Sequence, residues 1–278
     1  MRAELTVEVL SFQIRGSFVI ARGAKTEAAV VAATLRRGRC VGRGECTPYA
    51  RYGESPQSVV AAIESVRSKI EAGADAAALQ ELLPAGAARN ALDCALWDLE
   101  AKTSGVSAFA RAGLAGLKPL TTAYTLSVGT PDEMLTAAKA AAERPLLKVK
   151  LAGEGDRERL AAVRAGAPRA RLIVDANEAW RENNLLENIE ACASAGVALI
   201  EQPLPAGEDD LLAKIPHRAP ICADESAHDR KGLAALKGRY DAINIKLDKT
   251  GGLTEALAMA SAARAQGFSV MVGCMVAS

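Results

Sequence analysis

Five charged residues recur at a near-constant spacing through the second half of the sequence. They are Lys150, Asp175, Glu201, Asp224 and Lys246, at intervals of 25, 26, 23 and 22 residues. Each ends a short apolar run: LLKVK, RLIVDAN, ALIEQP, PICADES and AINIK. Three carboxylates brought to one place repel one another and call for a cation between them. Hard oxygen donors, with no Cys or His at ligand spacing, suit Mg2+ or Mn2+ rather than zinc. An amine on either flank suits a reaction that needs two opposed acid/base groups. A carboxylate substrate beside such a cation can lose its α-proton, because the negative charge of the resulting enediolate is stabilised. A lysine serves as the base only if its ammonium pKa is drawn down, which a nearby cation and a second ammonium both do. Lys148 lies two residues before Lys150 and so falls on the same face of a strand.

The spacing also describes the elements that must hold these residues. About one strand, one helix and two loops fill each interval, and parallel strands need such a crossover. A charge at the carboxyl end of every strand is the pattern of a (β/α)8 barrel, which collects its chemistry at that face. TTAYTLSV, from Thr121, reads as the first barrel strand and SVMVGCM, residues 269–275, as the seventh. Thr130-Pro131 starts the first helix, with Asp132 and Glu133 at its positive end. Ahead of the barrel, residues 4–14, 28–36 and 39–46 read as strands, with SFVIARGAKTE as a loop and Arg37-Gly38 as a turn. A helix starts at Ser55-Pro56 and carries Val59, Ile63, Val66 and Ile70 on one face. A second helix carries Ala88, Ala91, Leu92, Ala95, Leu96 and Leu99. Asp93 and Trp97 lie off that stripe and read as packing contacts. Residues 1–117 are thus expected to form an α+β capping domain and residues 118–278 the barrel.

Composition sets the class. The 278 residues are 50% hydrophobic and 24% charged with net charge +1, the profile of an ordinary soluble globular protein. Balanced charge gives no reason to expect nucleic acid or an anionic membrane as partner. No apolar run has the length of a membrane span, and the N-terminus lacks a signal-peptide core. Six cysteines without a C-x-x-C pair read as free thiols in a reducing cytoplasm. VGRGEC lacks the third glycine of a dinucleotide fingerprint, and Lys249 with Gly251-Gly252 lacks the phosphate-loop pattern, so these glycines read as turn residues. His217 and His228 read as surface histidines in loops.

LKVK, IVDAN, EQPLP, ADES and NIKLDKTGG resemble the enolase superfamily, in its muconate-lactonizing-like subgroup with a lysine on each side of the metal. PYARYGES, ARNALDCALWDL and NIKLDKTGGLTEAL resemble its dipeptide epimerases of the L-Ala-D/L-Glu kind, and the resemblance runs the length of the chain. It implies a modified (β/α)8 barrel under an N-terminal α+β cap. It implies Mg2+ on Asp175, Glu201 and Asp224, and 1,1-proton transfer by Lys150 and Lys246. Lys148 then tunes Lys150 or holds the substrate carboxylate. Arg22 in VIARG meets the glutamate side chain from a closing loop, Thr125 binds substrate, and YARYG, residues 49–53, is the second closing loop. Asn177 and Glu225 follow ligands and read as their supports, and Asp248 is expected to pair with Lys246. The implied partner is a small dipeptide, in turnover of cell-wall peptides in a bacterium, and a homo-oligomer is left open. One departure stands out. The family's eighth strand, with its Asp-x-Asp for the dipeptide ammonium, does not appear before Ser278, so a further C-terminal segment is expected. Other two-lysine enzymes (muconate cycloisomerase, o-succinylbenzoate synthase) and a truncated, non-catalytic remnant are the alternative readings.

Overall fold

In the computed structural model, which describes residues 2–278, the alternating N-terminal sequence forms an antiparallel sheet. Its strands are β1 (Glu4–Ile20), β2 (Gly23–Arg37) and β3 (Cys40–Cys46), in that order. SFVIARGAKTE, expected as a loop, instead extends β1 and β2 into one long hairpin turning at Ala21-Arg22. Phe18 pairs with Lys25 and Ile20 with Gly23, but the register shifts between Gln13 and Phe18. Such a bulge breaks the period-two pattern, which is why the arm does not read as strand. The arm carries Arg22 out to the barrel residues Asn177, Glu178 and Glu225.

Helices α1 (Pro56–Glu71), α2 (Ala76–Leu82), α3 (Ala87–Ser104) and α4 (Ala108–Arg111) follow. The Ser55 hydroxyl accepts from the Ser58 amide at 3.1 Å, the cap expected at Ser55-Pro56. The stripe Val59, Ile63, Val66 and Ile70 is buried with Val31, Ala33 and Leu35 of β2 and Ala91, Leu92, Ala95 and Leu99 of α3. Gly42 and Gly44 let β3 lie directly on α3. A Cβ at Gly42 would sit 2.2 Å from the Ala95 carbonyl oxygen, and one at Gly44 would sit 2.0 Å from that of Ala91. The G-x-G of VGRGEC is therefore a packing device.

The rest of the chain alternates strand and helix: β4 (Tyr124–Leu126), α5 (Pro131–Ala140), β5 (Leu146–Lys150), α6 (Asp156–Gly166), β6 (Arg171–Asp175), α7 (Glu182–Ser194) and β7 (Val197–Glu201). Then come β8 (Ile221–Ala223), α8 (Leu233–Leu236), β9 (Ala242–Ile245), α9 (Leu247–Thr250), α10 (Leu253–Ala265) and β10 (Ser269–Val272). The seven strands form one sheet in chain order, with every described pair parallel and β4 and β10 at its edges. Leu147, Val149, Leu172, Val174, Ile200, Ile221, Ile243 and Ile245 are buried in its single core. This is a modified (β/α)8-barrel architecture with an α+β cap, seven of its strands lying within the described residues.

The cap is fixed to the barrel through α3. Asp93 accepts from the Thr254 amide at 3.0 Å and from its hydroxyl at 2.6 Å, at the positive end of α10. Trp97 donates to the same hydroxyl at 2.8 Å, so both residues are packing contacts as expected. Arg89 donates to the carbonyls of Thr250 and Gly251 at 2.7 and 3.1 Å. Gly252, at φ 108°, is required here, because a Cβ on it would lie 2.3 Å from that of Asp93.

A Gly44→Ala substitution drives a methyl into the α3 backbone and is expected to destabilise the protein by about 1–3 kcal/mol. Gly116→Ala, where a Cβ meets nothing within 4 Å, is expected to stay within about 0.5 kcal/mol of the parent. Urea unfolding midpoints of the two variants check this.

Candidate active site

Parallel register brings the spaced charges together. Lys150 lies opposite Asp175, and Asp175 opposite Glu201. Asp224 follows β8 directly and Lys246 follows β9 directly, so all five stand at the carboxyl ends of the strands. The three acids are 0% exposed, and one oxygen from each lies within 4.8 Å of the others. Lys148 Nζ is 2.9 Å from Asp175 Oδ2 and 2.6 Å from Glu201 Oε2. Lys150 Nζ is 2.6 Å from Asp175 Oδ2, and Lys246 Nζ is 2.5 Å from Asp224 Oδ2.

The second oxygen of each carboxylate is tied to the scaffold. Asp175 Oδ1 accepts from the Asn177 amide at 3.0 Å, Glu201 Oε1 from Asn244 Nδ2 at 2.8 Å, and Asp224 Oδ1 from Lys249 Nζ at 2.7 Å. Each acid therefore turns one oxygen towards the lysines. The Oδ1 of Asn177 also accepts from Lys150 at 3.0 Å, which joins it to the cluster. Asn244 and Lys249 were not anticipated. Asn244 had a signal: it is the one polar residue inside AINI and shares the phase of Lys246. Lys249, 1% exposed, also donates to the carbonyls of Asp224 and Asn244. Nothing in its sequence neighbourhood announces that burial.

Backbone strain accompanies these positions. Asn177, Glu178 and Gln202 adopt φ of 46°, 68° and 36°, at a cost of about 1–3 kcal/mol each for such residues. Surrounding bonds hold Gln202 in place. Its side-chain Nε2 lies 2.9 Å from each of Leu204 O, Ser226 Oγ and Tyr240 OH, among which its two N–H groups are shared, and its Oε1 accepts from the Asp224 amide at 2.8 Å. The end of β7 thereby carries the end of β8.

Four ammonium groups, those of Lys148, Lys150, Lys246 and Lys249, face three carboxylates. Burial alone would raise the pKa of Asp175, but Lys148 and Lys150 hold it below the usual carboxylate range. Burial likewise opposes the charge of Asp224, and Lys249 and Lys246 override it. Glu201 moves the other way, because burial and the charge of Asp175 outweigh Lys148. Its Oε2 has no aligned hydrogen bond despite the nearby Lys148 amine. Burial would depress Lys148 and Lys246, but the carboxylates raise both. A converging set of inward oxygens, with no sulfur or nitrogen donor in it and with Glu201 Oε2 lacking an aligned hydrogen bond, fits a hard divalent cation such as Mg2+.

A cavity of about 360 Å³ lies against this cluster, lined by Lys150, Lys246, Asn177 and Glu225 from the barrel and by Phe18, Ile20, Arg22 and the Tyr49–Tyr52 turn from the cap. Arg22 donates to Asn177 O at 2.9 Å, Glu178 Oε2 at 3.0 Å, Glu225 Oε1 at 2.6 Å and Tyr49 OH at 3.1 Å. Arg51, which sequence reasoning did not single out, grips Glu178 with two bonds of 3.0 and 2.8 Å. Glu225 supports Arg22 rather than a ligand of the cluster, and burial together with Asp224 and Asp175 pushes its carboxyl up to about 7. Thr125 lies beside Lys148 in register but not among the residues lining the cavity. Asp248 does not pair with Lys246. It accepts from the Thr47 amide at 3.0 Å and from Asn90 Nδ2 at 2.8 Å, joining cap to barrel, because α9 begins at Leu247 and rotates it away. His217 bonds Asp241 at 2.7 Å, away from the cavity, and His228 bonds Glu225 O at 3.0 Å with its ring edge-on to Tyr52. His228 is exposed in a loop, as expected of a surface histidine, whereas His217 is half-buried.

Two family descriptions match the chain: "Mandelate racemase / muconate lactonizing enzyme, N-terminal domain" over residues 2–110 and "Enolase C-terminal domain-like" over residues 133–278. The chain is 52% identical over 275 residues to the L-Ala-D/L-Glu epimerase of Escherichia coli strain K12, covering 98% of this chain and 86% of that protein. A crystal structure of an enolase family member from Agrobacterium tumefaciens, with homology to dipeptide epimerases and with bound sodium and L-Ala-L-Glu, superposes with a TM-score of 0.97. It is 52% identical and covers 98% of this chain and 84% of its own. A dipeptide epimerase from Methylococcus capsulatus complexed with Mg and L-Arg-D-Lys has a TM-score of 0.89 at 32% identity, covering 99% and 83%. With both halves matched and a relative this similar over nearly its whole length, the chain belongs to the mandelate racemase/muconate lactonizing enzyme family of the enolase superfamily.

Proposed function

We propose that this protein is a Mg2+-dependent dipeptide epimerase that interconverts L-Ala-D-Glu and L-Ala-L-Glu at the glutamate α-carbon. The observation that carries the reading is the pair of lysines, Lys150 and Lys246, lining one cavity from strands four places apart in the sheet. The activity of the E. coli relative and the dipeptides and metal held by the related structures support the substrate class and the cofactor. Turnover of murein peptides belongs to the same proposal, as does a reducing, cytoplasmic setting, with which six free cysteines are consistent. So does a division of the chain into a specificity cap, residues 1–117, and a catalytic barrel, residues 118–278.

Asp175, Glu201 and Asp224 would hold the cation through the oxygens they now turn to the lysines. Once bound, the cation supplies charge stabilisation for a substrate carboxylate losing its α-proton. Lys150 removes or returns that proton on one face and Lys246 does so on the other. Lys150 now pairs with Asp175 and Lys246 with Asp224, and a cation held by those carboxylates would compensate the negative charge that the amines face. Lys148, reaching Asp175 and Glu201 together, is placed to orient the substrate carboxylate and to bias Lys150. Arg22 takes the substrate's side-chain carboxylate in exchange for Glu225, and the cap turn excludes water.

Three outcomes test this reading. EDTA should abolish epimerisation of L-Ala-D-Glu and added Mg2+ restore it, whereas full activity in stripped protein excludes the cation. In D2O, Lys150→Ala and Lys246→Ala should each stop epimerisation in both directions. Any α-proton exchange they retain should be of opposite epimers. Exchange of the same epimer by both, or epimerisation at the parent rate by either, defeats the two-base mechanism. Arg22→Met should cost kcat/KM for glutamate-containing dipeptides about 10- to 100-fold, the size of a lost charge-assisted hydrogen bond. Dipeptides with an apolar second residue should be affected far less, and equal losses on both would remove Arg22 as the specificity residue.

A further inference from the structure

Asn244 is 0% exposed, in a strand whose other residues, Ala242, Ile243 and Ile245, are apolar. An amide buried so deeply is costly unless its hydrogen bonds are made. Its nitrogen makes one, to Glu201 Oε1 at 2.8 Å, while its oxygen has no partner. The amide is thus not placed for its own satisfaction. It faces the one acid of the cluster whose other oxygen lacks an aligned hydrogen bond. The reverse orientation would set oxygen against carboxylate. Beside it, Gly273 follows the neighbouring strand β10, where a Cβ would lie 2.6 Å from Asn244 Oδ1 and 2.8 Å from Nδ2, with no other neighbour as near. The missing side chain at Gly273 is the space the amide occupies.

We infer that Asn244 is a positioning residue that holds Glu201 by Oε1 and leaves Oε2 as the oxygen that would serve the cation, and that Gly273 is the position that admits it. The inference rests on the metal reading above and assigns two residues outside the ligand and proton-transfer sets. Partners that orient ligands in this way typically change metal affinity about 10- to 100-fold when lost.

The test is titration of metal-free protein with Mg2+ by calorimetry, together with melting in the absence and presence of saturating Mg2+. Asn244→Leu keeps the volume and removes the donor. Gly273→Ala keeps Asn244 and pushes its amide off Glu201. Each variant should bind Mg2+ about 10- to 100-fold more weakly, and the melting increment at a fixed Mg2+ concentration should shrink. A purely packing role would lower the metal-free melting temperature and leave that increment as in the parent. If Asn244→Leu does not fold, Gly273→Ala carries the test alone. A folded variant of either kind with parental Mg2+ affinity overturns the inference. A parent that binds no Mg2+ overturns the metal reading first, and this assignment with it.

Discussion

Three carboxylates without solvent, at the centre of one sheet, are the constraint to which the surrounding structure answers. Unpaired charges of one sign are not tolerated in a low-dielectric interior. The protein surrounds them with four ammonium groups from β5, the end of β9 and α9, and each carboxylate keeps one oxygen tied to the scaffold. The left-handed residues after β6 and β7 follow from the same need, since the chain must turn sharply to aim Asn177 and Gln202 back at their neighbours. Lys148 and Lys246 are raised by the acids they face, so the charge balance at these two amines depends on what binds beside them.

The outer wall of the cavity is built by different physics in a different layer. The barrel offers Lys150, Lys246, Asn177 and Glu225 to the cavity, but its outer wall comes from the hairpin arm and the Tyr49–Tyr52 turn. Both cap segments are fastened to the same barrel residue, Glu178, through Arg22 and Arg51. These ion pairs are partly exposed, hence individually weak and exchangeable, in contrast to the buried pairs of the cluster. The joint that fixes the cap as a body lies elsewhere, where Arg89, Asn90, Asp93 and Trp97 of α3 meet α9 and α10. The cap is thus joined to the barrel by buried bonds at one side and by partly exposed ion pairs at the mouth of the cavity.

The sequence by itself determined the barrel, its charged residues and their convergence. A parallel sheet with a constant strand–helix period has only one way to place residues that recur at strand ends, and five charges in that phase must meet. The apolar stripes of α1 and α3 and the caps at Ser55 and Thr130 were legible for the same reason, since each is a local pattern with a local cause. What only the tertiary structure decided depends on contacts between segments far apart in the chain. The bulge that turns an apparent loop into the arm carrying Arg22 is one case. The glycines at 42, 44, 252 and 273 are another, because the helix backbone or side chain that each admits comes from elsewhere in the chain. Asp248 illustrates the limit most plainly. Two residues from Lys246 means the same face in a strand, but the chain turns helical at Leu247, and Asp248 is carried across to the cap instead. Lys249, by the same turn, is carried inward to Asp224.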